Sequence, residues 1–324
     1  MKVHILDDWF DTLKTLPSFS QLAAHDVTIW TDHVEETEPL AERLADAEAL
    51  ALFRERTAIT RSLLEKLPNL KLISQRSVYP HVDVDACTDH DILLCSNMHS
   101  GTPSYAAAEH TWALILAAAR DLPAQMASVK AGNWQAGVGK SLHGRTLGLY
   151  GYGRIAKTVN QYAQAFGMRV VWWGSEDGRA RAAKEGQTVA STREQFFSES
   201  DFVSLHVRLK ETTRGIITAE DLACMRPDAT LVNTSRAGLI VPGALKTALD
   251  SGRPGTAAID VFDVEPLTDA NDSLLAHPRL IATPHIGFVT VDDIDLQFAD
   301  IYEQINAFAA GAPIHMINES VFQS

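Results

Sequence analysis

The first hundred residues alternate short apolar runs with segments of helical periodicity. The runs that predict strands are Val3–Leu6, Val27–Trp30, Ala49–Phe53, Leu70–Ser74 and Ile92–Cys95. Between them, Leu63, Leu64 and Leu67 recur at the spacing of one helix face. This alternation predicts a parallel sheet covered by helices.

A second series of the same kind follows a polar stretch that contains Gly132, Gly137 and Gly139. Its predicted strands are Thr146–Tyr150, Val170–Trp173, Thr188–Ala190, Phe202–His206, Thr230–Thr234, Thr256–Phe262 and Leu280–Thr283. A chain of 324 residues is long enough for two domains, each with its own core. We therefore predict two βα arrays in separate domains.

Two longer helical patterns lie outside these series. Thr102 and Pro103 have the chemistry of an N-cap and a first helical turn, and they predict a helix that runs to about Arg120. After Gly287, apolar side chains recur on one face at Ile294, Phe298, Ile301, Ile305 and Phe308. This last helix has no obvious partner in the second array, so we expect it to return to the first.

Composition excludes several classes of protein. The chain carries 41 acidic and 28 basic residues, a net charge of −13, which repels nucleic acid and anionic membrane surfaces. Its three cysteines are odd in number and lack a C-x-x-C spacing, so neither a disulfide framework nor a metal site is predicted. The longest apolar run, Trp112–Ala119, is far too short to span a membrane. We expect a soluble cytoplasmic protein.

Gly151 and Gly153 mark a sharp turn from an apolar strand into a helix. In Gly151-Tyr152-Gly153-Arg154-Ile155-Ala156, the glycines let the backbone approach a pyrophosphate, and the new helix offers unpaired N–H groups. Glycine-rich turns also occur in α/β loops that bind nothing. Here a strand precedes the turn and an amphipathic helix follows it, as the binding mechanism requires, and we predict a dinucleotide site.

Three candidate catalytic residues follow predicted strands of the second series. Arg236 could hold a carboxylate through two parallel hydrogen bonds, and an imidazole such as His285 can donate a proton to a carbonyl oxygen. Glu265 could accept the imidazole N–H and orient the ring. Taken alone, each residue also has a non-catalytic interpretation: Arg236 as a loop arginine, His285 as a structural histidine and Glu265 as a turn carboxylate. Ligands of open α/β sheets bind outside the carboxyl ends of the strands, so the three together predict an active site.

Four motifs occur in an order and spacing typical of one family. They are Gly151-Tyr-Gly153-Arg-Ile-Ala156, Asn233-Thr-Ser-Arg236-Ala-Gly, Asp260-Val-Phe-Asp-Val-Glu265-Pro and Pro284-His285-Ile-Gly. Ala107-Ala-Glu109-His-Thr-Trp, near the start of the long helix, adds a fifth. With these motifs, essentially the whole chain resembles the D-isomer-specific 2-hydroxyacid dehydrogenases.

The resemblance implies an α/β fold with two doubly wound parallel-sheet domains. In that family, a Rossmann nucleotide-binding domain is inserted into a flavodoxin-like substrate domain. Residues 1–100 and 289–324 would then form the substrate domain, and residues 101–288 would form the dinucleotide-binding domain.

The resemblance also implies a role for each matching residue. Arg236 would bind the carboxylate and carbonyl of a 2-oxo acid, His285 would be the acid–base group, and Glu265 would support it. Asp260 would lie beside the nicotinamide carboxamide. The other residues expected to line the cofactor are Gly151, Tyr152, Gly153, Arg154, Ile155, Gly174, Ser175, Glu176, His206, Thr234, Ser235 and Gly287.

The implied activity is hydride transfer between a nicotinamide cofactor and a small 2-oxo acid or D-2-hydroxy acid, of the glyoxylate, hydroxypyruvate or pyruvate type. The family also includes dinucleotide-sensing corepressors, and formate or phosphite oxidation is a further alternative. An enzyme is favoured because all three catalytic positions are filled. A homodimer is also implied, in which Trp134 either approaches the partner's active site or serves as an interface or core residue.

One departure from the family concerns the substrate. The usual Gly-x-Gly loop, whose backbone N–H groups grip the substrate carboxylate, is replaced by Ser74-Gln-Arg76-Ser77-Val-Tyr-Pro-His-Val-Asp83. Arg76 and Ser77 are candidate substrate contacts, and the alternative for Arg76 is exposure to solvent. The identity of the 2-oxo acid is therefore open.

A second departure concerns the cofactor. NAD-specific members carry an aspartate after the second strand to bind the ribose 2′-hydroxyl, but Gly174 occupies that position here. Ser175 and Arg179 could hold the 2′-phosphate of NADP. Glu176 and Asp177 would repel that phosphate or accept the ribose hydroxyl, which favours NAD.

Overall fold

The computed structural model describes residues 1–98 and 104–323. Thr102 and Pro103, the predicted start of the long helix, lie outside the described residues, as does the predicted boundary between residues 100 and 101. The chain divides into two compact units, Met1–Pro103 with Thr290–Ser324, and Ser104–Val289. The second unit therefore interrupts the first in sequence.

Strands and helices alternate through most of the described chain. The strands are β1 (Lys2–Ile5), β2 (Asp26–Ile29), β3 (Ala49–Ala51), β4 (Leu72–Arg76), β5 (Leu93–Asn97), β6 (Thr146–Tyr150), β7 (Arg169–Trp173), β8 (Phe202–Leu205), β9 (Thr230–Asn233), β10 (Thr256–Ile259) and β11 (Leu280–Ala282). The helices are α1 (Thr37–Arg43), α2 (Arg61–Leu64), α3 (Val84–Asp89), α4 (Ala106–Arg120), α5 (Leu122–Lys130), α6 (Arg154–Ala165), α7 (Glu176–Lys184), α8 (Arg193–Glu199), α9 (Ala219–Cys224), α10 (Ala244–Ser251), α11 (Val291–Ala309) and α12 (Ser320–Gln323). Within the described ranges, no helix has both the length and the apolar character that crossing a membrane requires.

The first unit contains a parallel sheet with strand order β2-β1-β3-β4-β5. This is the flavodoxin-like order. The strand side chains Ile5, Leu50, Ile73 and Leu94 are fully buried. Strands that helices cover on both faces read as continuous apolar runs, which is why the sequence predicted them.

The long helix near the C-terminus, α11, belongs to the first unit and packs against β4. Gln304 donates hydrogen bonds of 2.9 Å to the hydroxyl of Ser74 and to the carbonyl of Gln75. Ser74 in turn donates to the carbonyl of Ile301 at 2.9 Å. Buried polar groups of β4 and α11 thus satisfy one another across the helix–sheet contact.

The second unit contains a parallel sheet with strand order β11-β10-β9-β8-β6-β7. The direction of chain progression reverses between β6 and β8, because β7 lies on one side of β6 and all later strands lie on the other. Ligands of doubly wound sheets bind outside the carboxyl ends of the strands at such a reversal. The predicted fold class, two parallel-sheet α/β domains, is confirmed.

The prediction of a strand at Thr188–Ala190 was wrong. Only Val189 forms a bridge, to Trp172 of the edge strand β7. The backbone N–H of Trp172 donates to Thr188 at 2.9 Å, and that of Ala190 donates back to Trp172 at 3.1 Å. The pairing stops there because Thr192 already caps α8, accepting the N–H of Gln195 at 3.0 Å.

The predicted strand Thr256–Phe262 ends early, at Ile259. Asp260 still donates its backbone N–H to Asn233 at 3.0 Å, but the N–H of Phe262 donates to Glu265 Oε1 at 2.8 Å. A backbone N–H that donates its hydrogen bond to a side chain is not available for pairing with a neighbouring strand. Glu265 therefore lies on a loop beyond the strand.

Candidate active site

The three candidate catalytic residues follow three adjacent strands. Arg236 comes after β9, Glu265 after β10 and His285 after β11, and these strands are neighbours in the parallel sheet. The carboxyl ends of neighbouring parallel strands lie at the same edge, so the three loops emerge together. The fold of the second unit accounts for this placement.

His285 and Glu265 form a hydrogen-bonded pair. The distance from Nδ1 of His285 to Oε2 of Glu265 is 2.5 Å. Burial opposes ionisation of Glu265, but hydrogen bonds from His285 and the N–H of Phe262, together with the charges of His285 and Arg236, lower the pKa of its carboxyl. An ionised carboxylate can only accept, so Nδ1 carries the hydrogen and donates it.

The remaining ring nitrogen is available for proton transfer. Nε2 of His285 has no hydrogen-bond partner within residues 1–98 and 104–323. The side chains of His285 and Glu265 are 27% and 33% exposed, so the pair is open to a small molecule. This combination of an oriented ring and an accessible nitrogen suits a general acid–base group.

Arg236 lies on a loop that is fixed by its neighbours. Asn233 donates from Nδ2 to the carbonyl of Arg236 at 3.0 Å and accepts the N–H of Ser235 at 3.1 Å. Nη1 of Arg236 donates to the carbonyl of Ser235 at 2.8 Å. The guanidinium is half-buried, and its charge contributes to lowering the pKa of Glu265.

Asp260 holds the turn that carries His285. Its carboxylate is buried and accepts hydrogen bonds from Thr283 Oγ1 at 2.6 Å, the N–H of Ile286 at 2.9 Å and the N–H of Gly287 at 2.8 Å. Burial opposes ionisation of Asp260, but hydrogen bonds from His110, Thr283 and the N–H of Ile286 lower the pKa of its carboxyl. Asp260 therefore has a protein-internal role besides the predicted place beside the nicotinamide.

Two further side chains at this site, of His110 and Thr111, have no role that could be read from the sequence. His110 of α4 lies 2.9 Å from Thr283 Oγ1 and 3.2 Å from Asp260 Oδ1, measured from its Nε2. The following residue, Thr111, lies 2.6 Å from Thr234 between hydroxyl oxygens. The motif Ala107-Ala-Glu109-His-Thr-Trp was a family signal, but it gave these two side chains no role.

Gly151 lies where the strand order reverses. Its φ is +112°, and a Cβ there would lie 2.5 Å from the carbonyl oxygen of His206, on the chain that leaves β8. The backbone of His206 donates to Tyr150 at 2.8 Å, which fixes this close approach. Only glycine fits without a shift of the backbone.

Gly153 has a different environment from Gly151. A Cβ at Gly153 would meet nothing within 4 Å, and Gly153 is the N-cap of α6 without a side-chain capping bond. Open space at an uncapped helix N-terminus fits the pyrophosphate of a dinucleotide. Of the other motif residues, Tyr152 is buried and donates to Glu185 at 2.6 Å, while Arg154 donates to the carbonyl of Ser104 at 2.7 Å.

The loop after β7 is the expected place for the adenosine ribose. Gly174 has a φ of +147°, and Ser175 caps α7 by accepting the N–H of Gly178 at 3.2 Å. Glu176 and Asp177 are exposed in the first turn of that helix. The hydroxyl of Ser175 and the carboxylates of Glu176 and Asp177 thus lie within a few residues of the end of β7.

Three further predicted cofactor residues, His206, Thr234 and Ser235, lie on the loops after β8 and β9, while Ile155 lies in the first turn of α6. Burial lowers the pKa of His206 to about 4, and its Nε2 lies 2.9 Å from Ser204 Oγ. Ser235 Oγ donates to the carbonyl of Val207 at 2.7 Å, which ties the two loops together. A neutral His206 is thus part of a fixed wall rather than an acid–base group.

The predicted substrate contacts Arg76 and Ser77 belong to the first unit. Arg76 pairs with Asp300 of α11 at 2.6 Å, and its side chain is only 12% exposed, so the alternative of solvent exposure was wrong. Ser77 has a φ of +78°, and its carbonyl accepts hydrogen bonds from Gln75 and Ser96. Trp134, in the second unit, is 76% exposed and is not a core residue of the chain.

Comparison with known proteins agrees with these features. The family model "D-isomer specific 2-hydroxyacid dehydrogenase, NAD binding domain" matches residues 112–287. D-3-phosphoglycerate dehydrogenase of Bacillus subtilis (strain 168) is 35% identical over 266 residues, which cover 81% of this chain and 50% of the relative. The chain spans about half the length of several curated relatives of that name.

Two other proteins match over most of their length. Hydroxypyruvate reductase of Thermotoga maritima is 35% identical over 271 residues, which cover 82% of this chain and 86% of the relative. The crystal structure of a phosphoglycerate oxidoreductase from Vibrio cholerae o395 is 42% identical with a TM-score of 0.90, and the match covers 96% of this chain and 100% of that one. The chain therefore belongs to the D-isomer specific 2-hydroxyacid dehydrogenase family.

Proposed function

We propose that this chain transfers a hydride between NAD and a small 2-oxo acid or D-2-hydroxy acid. The observation that carries the proposal is the Glu265–His285 pair, 2.5 Å apart, with the second ring nitrogen of His285 left for proton exchange. Arg236 on the neighbouring loop supplies a cation for an anionic substrate. A carboxylate-oriented histidine beside an arginine is suited to the reduction of a carbonyl next to a carboxylate.

In the reductive direction, Arg236 binds the substrate carboxylate and polarises the carbonyl oxygen. Nε2–H of protonated His285 donates a proton to that oxygen as negative charge develops on it. Glu265 holds the ring through Nδ1 and offsets the charge of the imidazolium. The bound dihydronicotinamide would supply the hydride. In the oxidative direction, neutral His285 takes the hydroxyl proton.

NAD rather than NADP is the proposed cofactor. Glu176 and Asp177 follow β7 directly and would repel a 2′-phosphate, whereas a carboxylate can accept the ribose hydroxyl. The nearby cations have other contacts: Arg179 stacks over Trp173 at 4.3 Å, and Arg181 pairs with Asp177 at 3.0 Å. Steady-state kinetics with NADH and NADPH test this choice, and a lower KM for NADPH would contradict it.

Hydroxypyruvate is the substrate to test first. The Thermotoga maritima relative, of which this chain covers 86%, is named for its reduction. Because the Gly-x-Gly loop of the family is replaced at residues 74–83, glyoxylate and pyruvate belong in the same panel. Formate and phosphite with NAD complete it.

The decisive experiment follows NADH oxidation by the purified chain with each 2-oxo acid. His285→Ala should abolish most of the turnover, while His90→Ala, a change at an exposed histidine of the first unit, should not. NADH binding without reduction of any acid in the panel would contradict the proposal. That result would instead favour the dinucleotide-sensing alternative.

The exposed face of α5 supports a homodimer. None of the side chains of this helix is buried, and Leu122, Met126 and Val129 lie on one face with exposures of 42%, 55% and 53%. Trp134 and Val138, in the segment that follows, are exposed as well. An exposed apolar helix face of this kind marks a protein–protein contact, and a second copy of the chain is the proposed partner.

Sedimentation at micromolar concentration tests the dimer. Met126→Glu should produce monomers, because a charge in an apolar interface is costly to desolvate. If Trp134 also approaches the partner's active site, Trp134→Gln should lower kcat/KM while the protein remains dimeric. A wild-type monomer would contradict both statements.

A further inference from the structure

His110 occupies a partly buried position at the edge of the catalytic loops. Its side chain is 16% exposed, and its Nε2 lies 2.9 Å from Thr283 Oγ1 and 3.2 Å from Asp260 Oδ1. It belongs to α4, which packs against β9 and β10, two of the strands that lead to the catalytic loops. None of the proposed chemical steps uses it.

The direction of these hydrogen bonds follows from the groups involved. The lowered pKa of Asp260 makes it a carboxylate, which only accepts. Thr283 has one hydroxyl hydrogen and uses it on Asp260 at 2.6 Å. Thr283 can therefore only accept from His110, so Nε2 of His110 carries a hydrogen and donates it. Both the neutral and the charged ring can make this bond.

The pair that His110 contacts determines the conformation of the His285 turn. Asp260 accepts the N–H groups of Ile286 and Gly287, the two residues after His285. His285 has a φ of +53°, in the left-handed region that a non-glycine residue adopts only when its surroundings hold it there. The bonds to Asp260 restrain that conformation, together with the bond from the N–H of His285 to the carbonyl of Thr283 at 3.0 Å.

The packing around Gly287 is also close. A Cβ there would lie 3.1 Å from Asp260 Oδ2 and 3.7 Å from Cδ2 of His110. The imidazole of His110 thus borders the turn as well as donating to the group that holds it. A change in the shape or hydrogen bonding of the side chain at position 110 should therefore alter the conformation of the turn that carries His285.

From this geometry we infer that His110 is a positioning residue for the proposed reaction. It holds the Asp260–Thr283 pair in the arrangement that presents His285. The inference rests on the proposed function for its catalytic consequence, but the restraint on the turn is a property of the chain itself. The next residue of α4, Thr111, makes a similar contact with Thr234, two positions before Arg236.

The test compares two substitutions at one position. His110→Phe keeps a ring but removes the donor, and His110→Gln keeps an N–H close to the place of Nε2. We expect kcat for the 2-oxo acid to fall about 10- to 100-fold in His110→Phe, the scale of a catalytic group misplaced by about 1 Å. NADH affinity should change little, and His110→Gln should recover most of kcat. His90→Phe, at an exposed histidine, is the matched control.

Hydrogen exchange gives a readout that does not depend on activity. The amides of Ile286 and Gly287 should exchange faster in His110→Phe than in the wild type and His110→Gln. If wild-type protein reduces no 2-oxo acid but the exchange changes as expected, the proposed function fails and the positioning role stands. If wild-type protein is active and His110→Phe leaves both kcat and exchange unchanged, the inference is wrong.

A second variant tests the same role of His110 if His110→Phe does not fold. If His110→Phe does not fold, His110→Asn replaces it, because its shorter amide cannot reach Thr283 as the amide of glutamine can. Activity in His110→Gln but not in His110→Asn supports positioning. Equal activity in the two variants overturns it.

Discussion

Two glycines of the nucleotide loop should respond in opposite ways to the same added methyl group. At Gly151, an alanine Cβ would lie 2.5 Å from the carbonyl oxygen of His206 and 2.9 Å from Val207 Cγ1, at a φ of +112°. At Gly153, the same atom meets nothing within 4 Å, and φ is −106°. We predict that Gly151→Ala damages the fold and that Gly153→Ala damages only dinucleotide binding.

The expected magnitudes follow from these environments. An unfavourable φ costs about 1–3 kcal/mol, and overpacking against a fixed carbonyl adds about 1–3 kcal/mol. The sum, about 2–6 kcal/mol for Gly151→Ala, corresponds to a fall in Tm of roughly 5–20 °C for a domain of this size. Gly153→Ala loses at most about 1 kcal/mol of helix capping, which lowers Tm by no more than about 4 °C.

The assay pairs thermal unfolding with NADH titration for both variants. The Cβ of Gly153→Ala fills the space through which a pyrophosphate would approach the α6 N-terminus, so the Kd for NADH should rise at least about tenfold, equivalent to about 1.4 kcal/mol. Two results would refute the reasoning. One is an unchanged Tm for Gly151→Ala, and the other is normal NADH affinity in Gly153→Ala.

Three further predictions concern the catalytic loops. His285→Ala should lower kcat about 10²- to 10⁴-fold with little change in NADH affinity, and retained turnover at neutral pH would exclude it as the acid–base group. Arg236→Lys should lower kcat/KM roughly 10- to 1,000-fold through both parameters, because lysine lacks the planar fork; a change in KM alone would make Arg236 only a carboxylate clamp. The pKa of Glu265 is lowered from an ordinary value of 4.5, so its pairing stabilises the fold above that pH and is lost as the pH falls through the lowered value. Urea midpoints of the wild type and Glu265→Gln should therefore differ near neutral pH and converge in acid, and a gap that widens on acidification would contradict the pairing.

Much of the fold could be predicted because buried parallel strands are continuous apolar runs. The strand Thr146–Tyr150 has the predicted bounds, since all five of its residues are buried. The strand predicted at Thr188–Ala190 does not form, because its neighbour β7 is an edge strand and α8 begins only a few residues later. A short apolar run beside an edge strand has the same sequence pattern whether one of its residues or several pair with that strand.

Only those site residues could be predicted whose position is determined by the strand that precedes them in the sequence. Placement after an apolar strand sufficed to put Arg236, Glu265 and His285 at one sheet edge. The role of His110 could not be read in this way, because it contacts Thr283, a residue 173 positions away, through the packing of α4. The ion pair of Arg76 could not be predicted for a similar reason, since its partner Asp300 lies on a helix that returns from the far end of the chain.

The carboxylate of Asp260 is held in one orientation by hydrogen-bond donors on the loop that carries His285. Its Oδ1 accepts from Thr283 and Ile286, and its Oδ2 accepts from Gly287, so both oxygens face donors. An asparagine would turn its NH₂ group toward one of these donors in either orientation, which would leave a buried N–H or O–H without an acceptor at a cost of about 1–3 kcal/mol. The requirement for two acceptor oxygens therefore arises from the His285 turn itself.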